Sequence, residues 1–249
     1  MKKIFLKILA AILIVSAACD DKSDDKAIQK TSKIIMITDV SGIYGGIRMA
    51  GVGTITIDWG DGTAVETHTL KDYAINWTAY FNTEYSYNHE YSGTSTHTIL
   101  VTGENITHLY CRNSQLKSLD VSNNTTLINL ICMGQLKSLN VSNNTALSYL
   151  DCSGNQLTNL DVSKNTVLKN LNCEMNLLKS LDVSNNTVLT DMRCGSNQLN
   201  VEALNKLFET LHSNSGIKNI NMGFNPGTSD CDRSIATNKG WNVSSYHIN

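Results

Sequence analysis

The side chains with the most reactive chemistry are the thiols, and their spacing is regular. Cys111, Cys132, Cys152, Cys173 and Cys194 follow one another at intervals of 21, 20, 21 and 21 residues, with Cys19 and Cys231 outside the series. A structural zinc site draws on close pairs such as C-x-x-C, and no two of these cysteines are that close. A fixed period instead places five thiols in one column of a repeating structure. Two states are open to such a column: small reduced core residues, or a row of disulfides in an oxidising compartment. Parallel Cβ vectors on neighbouring rungs make the near-perpendicular disulfide dihedral hard to reach, so reduced thiols are the expectation. The six histidines (His68, His89, His97, His108, His212 and His247) have no H-E-x-x-H spacing. There is no G-x-S-x-G nucleophile elbow, phosphate-binding glycine loop or dinucleotide fingerprint. The expectation is a protein that binds rather than catalyses, with no cofactor and no metal.

The elements that position the thiols are legible around them. Each cysteine ends an L-x-x-L-x-C unit. Its first position is Ile106, Leu127, Leu147, Leu168 or Leu189, and its second is Leu109, Leu130, Leu150, Leu171 or Met192. Asn155, Asn176 and Asn197 follow three residues after their cysteines, and then come Leu116, Leu136, Leu157, Leu178 and Leu199. A tail of L-x-V-S-x-N-T closes most copies, with a second asparagine column at Asn124, Asn144, Asn165 and Asn186. This pattern resembles the leucine-rich repeat family over roughly residues 106–238. The resemblance implies stacked units, each a short strand and a return segment, with equivalent residues about 4.8 Å apart in a parallel sheet. The first asparagine column is expected to point inward and bond loop backbone. The second is expected in a turn, tolerating left-handed geometry and bonding its own backbone. One residue is missing between Cys132 and Gln135, which predicts an irregular loop there. Leu204, Leu207, Phe208 and Leu211 have helical spacing over 201–211, and Ile217, Ile220, Met222 and Asn225 repeat the template. A short helix over 229–238 and a final strand over 240–243 complete the expected cap.

Strand side chains alternate, so the neighbours of the apolar positions face outward on the concave sheet. Tyr110, Arg112, Ile131, Met133, Tyr149, Asp151, Asn172, Glu174, Asp191 and Arg193 are the candidate ligand-binding residues. They vary between copies in size and charge while the core columns barely vary. Tyr, Met and Arg are enriched at protein interfaces. The expected partner is a protein, host or microbial, in an adhesion or interaction role; the alternative is a glycan.

Residues 32–104 differ from the repeats. Ile34–Ile37, Thr54–Trp59 and Thr96–Thr102 have strand character, and Trp59-Gly60-Asp61-Gly62-Thr63 forms a turn. With His89-Glu90-Tyr91-Ser92-Gly93, this run resembles the PKD family. The resemblance implies an immunoglobulin-like β-sandwich with the tryptophan packed inside. Asp61 then has two readings, a turn residue or a calcium ligand, and the turn is preferred.

The N-terminus reads as an address. Lys2, Lys3 and Lys7 precede the apolar run 8–15, and Ser16-Ala17-Ala18 leads to Cys19. The run is too short to span a bilayer. The small residues before a cysteine resemble a bacterial lipobox, which implies lipidation at Cys19. The acidic run 20–25 resembles a surface-export signal of Gram-negative lipoproteins; the other reading is a solvated linker. Removing residues 1–18 takes three of the 20 Lys plus Arg and none of the 22 Asp plus Glu, leaving a net charge of −5. That charge is no basis for nucleic-acid binding. The expected layout is a signal peptide at 1–18, a lipidated cysteine and linker at 19–31, and a PKD-like domain at 32–104. A leucine-rich-repeat solenoid at 105–238 and a cap strand and tail at 239–249 follow. The expected fold class is mainly β. The expected place is the outer membrane, reached through the lipid anchor only and exposed at the cell surface.

Overall fold

The computed structural model describes residues 32–38, 46–72, 85–93 and 95–245, without the side chains of 113–115. Cys19, the leader and the acidic run lie outside the described residues.

The first six strands are β1 (Ser32–Thr38), β2 (Ile47–Gly51), β3 (Gly53–Asp58), β4 (Glu66–Leu70), β5 (Ser86–Tyr87) and β6 (His97–Gly103). Strand character was legible at β1, β3 and β6, where buried residues alternate with less buried ones. These strands pair antiparallel in the order β1-β6-β3-β4. The inward residues Ile34, Met36, Ile55, Ile57, Ile99 and Val101 are each fully buried. β2 pairs with β5 and then departs from that order by adding to the first repeat strand.

The repeat strands are β7 (Ile106–Asp120), β8 (Asn129–Gly134), β9 (Tyr149–Asp151), β10 (Asn170–Asn172), β11 (Asp191–Arg193) and β12 (Lys218–Asn221), closed by β13 (Trp241–Ser244). All neighbours from β7 to β13 are parallel, and Leu109, Leu130, Leu150, Leu171, Met192 and Ile220 are in register. This is a leucine-rich-repeat-like solenoid. A three-residue strand has one inward position, so each rung puts one aliphatic side chain between two outward ones. β7 is long because its second half, from Leu116 to Asp120, pairs antiparallel with β1. Its first half pairs antiparallel with β2. Among the described residues, thirteen strands therefore form one hydrogen-bonded sheet across both regions, and one apolar cluster runs from Ile34 to Trp241.

The irregularity expected at the shortened second repeat is present. The β7–β8 register shifts between Cys111 and Leu116, and Gly134 sits opposite Leu116. A Cβ on Gly134 would lie 2.8 Å from the Leu116 nitrogen, so only glycine fits there.

Helix α1 (Val201–Thr210) replaces the return segment after β11. Asn200 caps it by accepting the Ala203 N–H at 2.8 Å, and Leu204, Leu207 and Phe208 are buried. The helix expected over 229–238 is confined to α2 (Ser234–Thr237). The strand expected at 240–243 is β13. One core expectation is corrected. Ile217, aligned with Leu189, is 77% exposed, while Lys218 is 2% exposed. The chain leaves α1 through a loop, so it enters β12 on a different path. There the Lys218 ammonium meets the Asn214 carbonyl and lies 6.0 Å from the Trp241 ring.

Candidate functional site

The inner side of the repeats is occupied by structure. Cys111, Cys132, Cys152, Cys173 and Cys194 are each fully buried, and no described cysteine is in a disulfide. Their Sγ–H groups have carbonyls to donate to, as at Cys111 to Ile131 and Cys173 to Arg193, each 3.4 Å. Burial pushes the Cys111 and Cys194 thiols up to about 12 and moves Cys132, Cys152 and Cys173 upward as well. A thiol that does not ionise is neither a nucleophile nor a ready metal ligand.

The first asparagine column works as a ladder. Asn176 accepts the Leu157 N–H at 3.0 Å and donates to the carbonyls of Cys152 and Cys173 at 3.0 and 3.2 Å. Asn155 and Asn197 repeat this one rung below and above, and Asn225 extends it. The second column is corrected. Asn124, Asn144, Asn165 and Asn186 are buried, none has a positive φ, and the last three bond the preceding repeat. Asn144, for example, donates to Val121 at 2.9 Å and Asn124 at 2.7 Å. The Oδ1 atoms of all four have no hydrogen-bond partner.

At the N-terminal end, Trp59 is buried, stacks on His89 at 4.9 Å, and donates to Glu66 at 2.7 Å. Asp61 Oδ1 accepts from the Thr63 hydroxyl and N–H, and its Oδ2 lies 2.7 Å from His89 Nε2. The Thr63 hydroxyl, His89 and the Thr63 N–H hold this carboxyl well below the usual range. Oδ1 of Asp61 serves the turn and Oδ2 pairs with His89 outside it. Among the described residues, no group of three or more His, Cys, Asp or Glu is placed to hold a metal ion.

The outer face carries the candidate binding residues in two cross-strand rows. One runs Arg48, Tyr110, Ile131, Asp151, Asn172, Arg193, Asn221 and Ser244. The other runs Ala50, His108, Asn129, Tyr149, Asn170, Asp191, Asn219 and Asn242. Tyr110, Met133, Tyr149, Asp151, Asn172 and Asp191 are partly exposed, and Arg112 and Arg193 are exposed. Ile131 and Glu174 are 7% and 8% exposed, so these two candidates support the face from beneath.

Nine of the ten candidates fall into two groups, with Glu174 buried outside both. At the first rungs, Tyr110, Arg112, Ile131 and Met133 are joined by Arg48, which sequence periodicity does not reveal. Its guanidinium carbon lies 5.1 Å from the Tyr110 ring centre, and its Nε donates to Ser86 at 3.0 Å. Arg48 belongs to no repeat; only the pairing of β2 with β7 brings it into the row. At the middle rungs, Tyr149, Asp151, Asn172, Asp191 and Arg193, with Asn170, line a cleft of about 350 Å³.

No family model matches the chain. No curated protein matches it either. Among solved structures it is similar to the functional domain of InlJ from Listeria monocytogenes, which includes a cysteine ladder. The identity is 29% and the TM-score 0.41, over 59% of this chain and 39% of that one. The chain thus spans about two-fifths of the neighbour's length.

Proposed function

We propose that this chain is a lipid-anchored binding protein, displayed at the bacterial outer membrane, that engages a protein partner through the outer, concave face of its repeats. The carrying observation is a contrast between the two sides of the same strands. The inner columns repeat nearly unchanged: Leu109, Leu130, Leu150 and Leu171, and five buried cysteines. From β7 to β12 the outer rows change at every rung. Packing dictates the first set and leaves the second free to specialise. Tyr110, Arg48, Arg112, Ile131 and Met133 supply the aromatic, basic and apolar mixture common at protein interfaces.

Anchoring at Cys19 is supported by the small residues before it and the acidic run after it. Among the described residues no helix is long and apolar enough to cross a membrane. The strands before the repeats serve as a PKD-like spacer in this reading, supported by the buried tryptophan and the Asp61 turn. Their added strand β2 also contributes Arg48 to the face.

The test is an unbiased screen of extracellular proteins against the purified chain, repeated with a Tyr110→Ala, Arg112→Ala double variant. A partner whose affinity falls at least about tenfold, with Tm unchanged, supports the reading. A partner bound equally well by both proteins moves the site elsewhere. Mass spectrometry of the mature N-terminus and protease shaving of whole cells test the anchor and its exposure. An unmodified Cys19, or complete protection from protease, contradicts them.

A further inference from the structure

We infer that the cleft of Tyr149, Asp151, Asn170, Asn172, Asp191 and Arg193 is a subsite for a neutral sugar. It shares the outer face with the protein-partner reading but does not rest on it, because Tyr110 and Arg112 lie on another rung.

The six side chains form a grid, Tyr149–Asn170–Asp191 in one row and Asp151–Asn172–Arg193 in the other. Leu171, 1% exposed, lies beneath, and the open cleft has a volume of about 350 Å³. Rungs are about 4.8 Å apart and alternate residues about 6.6 Å apart, the scale of a pyranose ring. A sugar edge carries hydroxyls that each donate and accept, so its receptor must offer both kinds of group at fixed positions.

The grid does so. Asn172 accepts the Glu174 N–H through Oδ1 at 3.1 Å, which orients the amide and keeps Nδ2 as a donor. Asp151 Oδ1 accepts the Ser153 N–H and hydroxyl at 3.0 and 2.6 Å, which keeps Oδ2 as an acceptor. Asp191 and Arg193 stand 3.6 Å apart, each steadying the other, and present an acceptor beside a donor. Asn170 carries both on one amide, and the Tyr149 ring offers a flat carbon surface for the sugar's C–H groups. Orientation by local turns lowers the ordering cost of binding.

Charge narrows the class. Two carboxylates against one guanidinium, with Glu174 beside them, disfavour uronates, sulfates and phosphates. Arg193 already partly neutralises Asp191, which weakens the case for a cationic side chain as occupant.

The test is a titration of the purified chain, followed by backbone amide NMR. The probes are maltohexaose, cellohexaose, mannohexaose and chitohexaose, with hexagalacturonate and hexalysine as charged comparators. At least one neutral hexasaccharide is expected to bind with Kd of about 1 mM or tighter and to shift the amides of 149–151 and 170–172. Asn172→Asp keeps the acceptor for Glu174 and removes the donor; it and Tyr149→Ala should each weaken binding about tenfold without lowering Tm. Tyr110→Ala should leave sugar binding unchanged. The assignment is overturned if no neutral probe binds up to about 10 mM, or if both cleft variants bind as the parent does. It is equally overturned if hexagalacturonate or hexalysine binds as tightly as the best neutral sugar.

Discussion

Leu150 and its neighbours Tyr149 and Asp151 share one three-residue strand, yet they answer to different constraints. Leu150 is fully buried between Leu130 and Leu171, and its counterparts are leucines except at Met192 and Ile220. Tyr149 and Asp151 are partly exposed, and their counterparts include His, Asn, Asp, Tyr, Ile and Arg. The inner column is set by the spacing of stacked rungs, which admits one shape. The outer rows are set only by what they meet, so their composition carries information about a ligand.

Substitutions should separate the two sides sharply. Leu150→Ala is expected to cost about 2–5 kcal/mol in denaturant unfolding, since the rungs above and below cannot collapse into the cavity. A cost below about 1 kcal/mol would mean that the column is not tightly packed. Next comes a contrast between the asparagine columns. Asn176→Ala strands the buried Leu157 N–H and removes a donor from the Cys152, Cys173 and Glu174 carbonyls, and should cost about 2–4 kcal/mol. Asn186→Ala removes one of two donors from the Val162 and Asn165 carbonyls, each of which keeps a backbone N–H, and removes an oxygen that has no partner. Its cost should be the smaller, about 1–2 kcal/mol, and the reverse order would break the ladder argument.

Acid should act more weakly, through the return turns. Backbone and side-chain hydrogen bonds from Ser163 and Ser184 hold the Asp161 and Asp182 carboxyls below their ordinary range. A depressed folded value gives stability that is present above the unfolded value of about 3.9 and lost as pH falls through the folded one. Tm should be flat from pH 7 to about 5 and fall below about 4, with a shallower fall in an Asp161→Ala, Asp182→Ala double variant. The smallest effect belongs to the outer face. Tyr149→Ala should change stability by less than about 0.5 kcal/mol, as an outward side chain with no core role.

The repeats were legible because packing and sequence share one period. The in-register leucines, the buried thiols and the ladder of Asn155, Asn176 and Asn197 all follow from it. So do α1, from the spacing of Leu204, Leu207 and Phe208, and the closing strand at Trp241. Three features escaped for physical reasons. Arg48 joins the outer row through an antiparallel pairing that no local pattern encodes. Asn124, Asn144, Asn165 and Asn186 read as turn residues, although three of them tie one repeat to the one before. Ile131 and Glu174 occupy outward positions, but their neighbours cover them.

The account turns on stacked rungs that hide the thiols, and thiol labelling tests this most directly. In a Cys19→Ser variant, six cysteines remain, all buried. A maleimide under native conditions should add to almost none over the time in which the unfolded chain takes up six. Rapid native labelling at Cys132, Cys152 or Cys173 would contradict the stacked interior on which the inner and outer assignments depend.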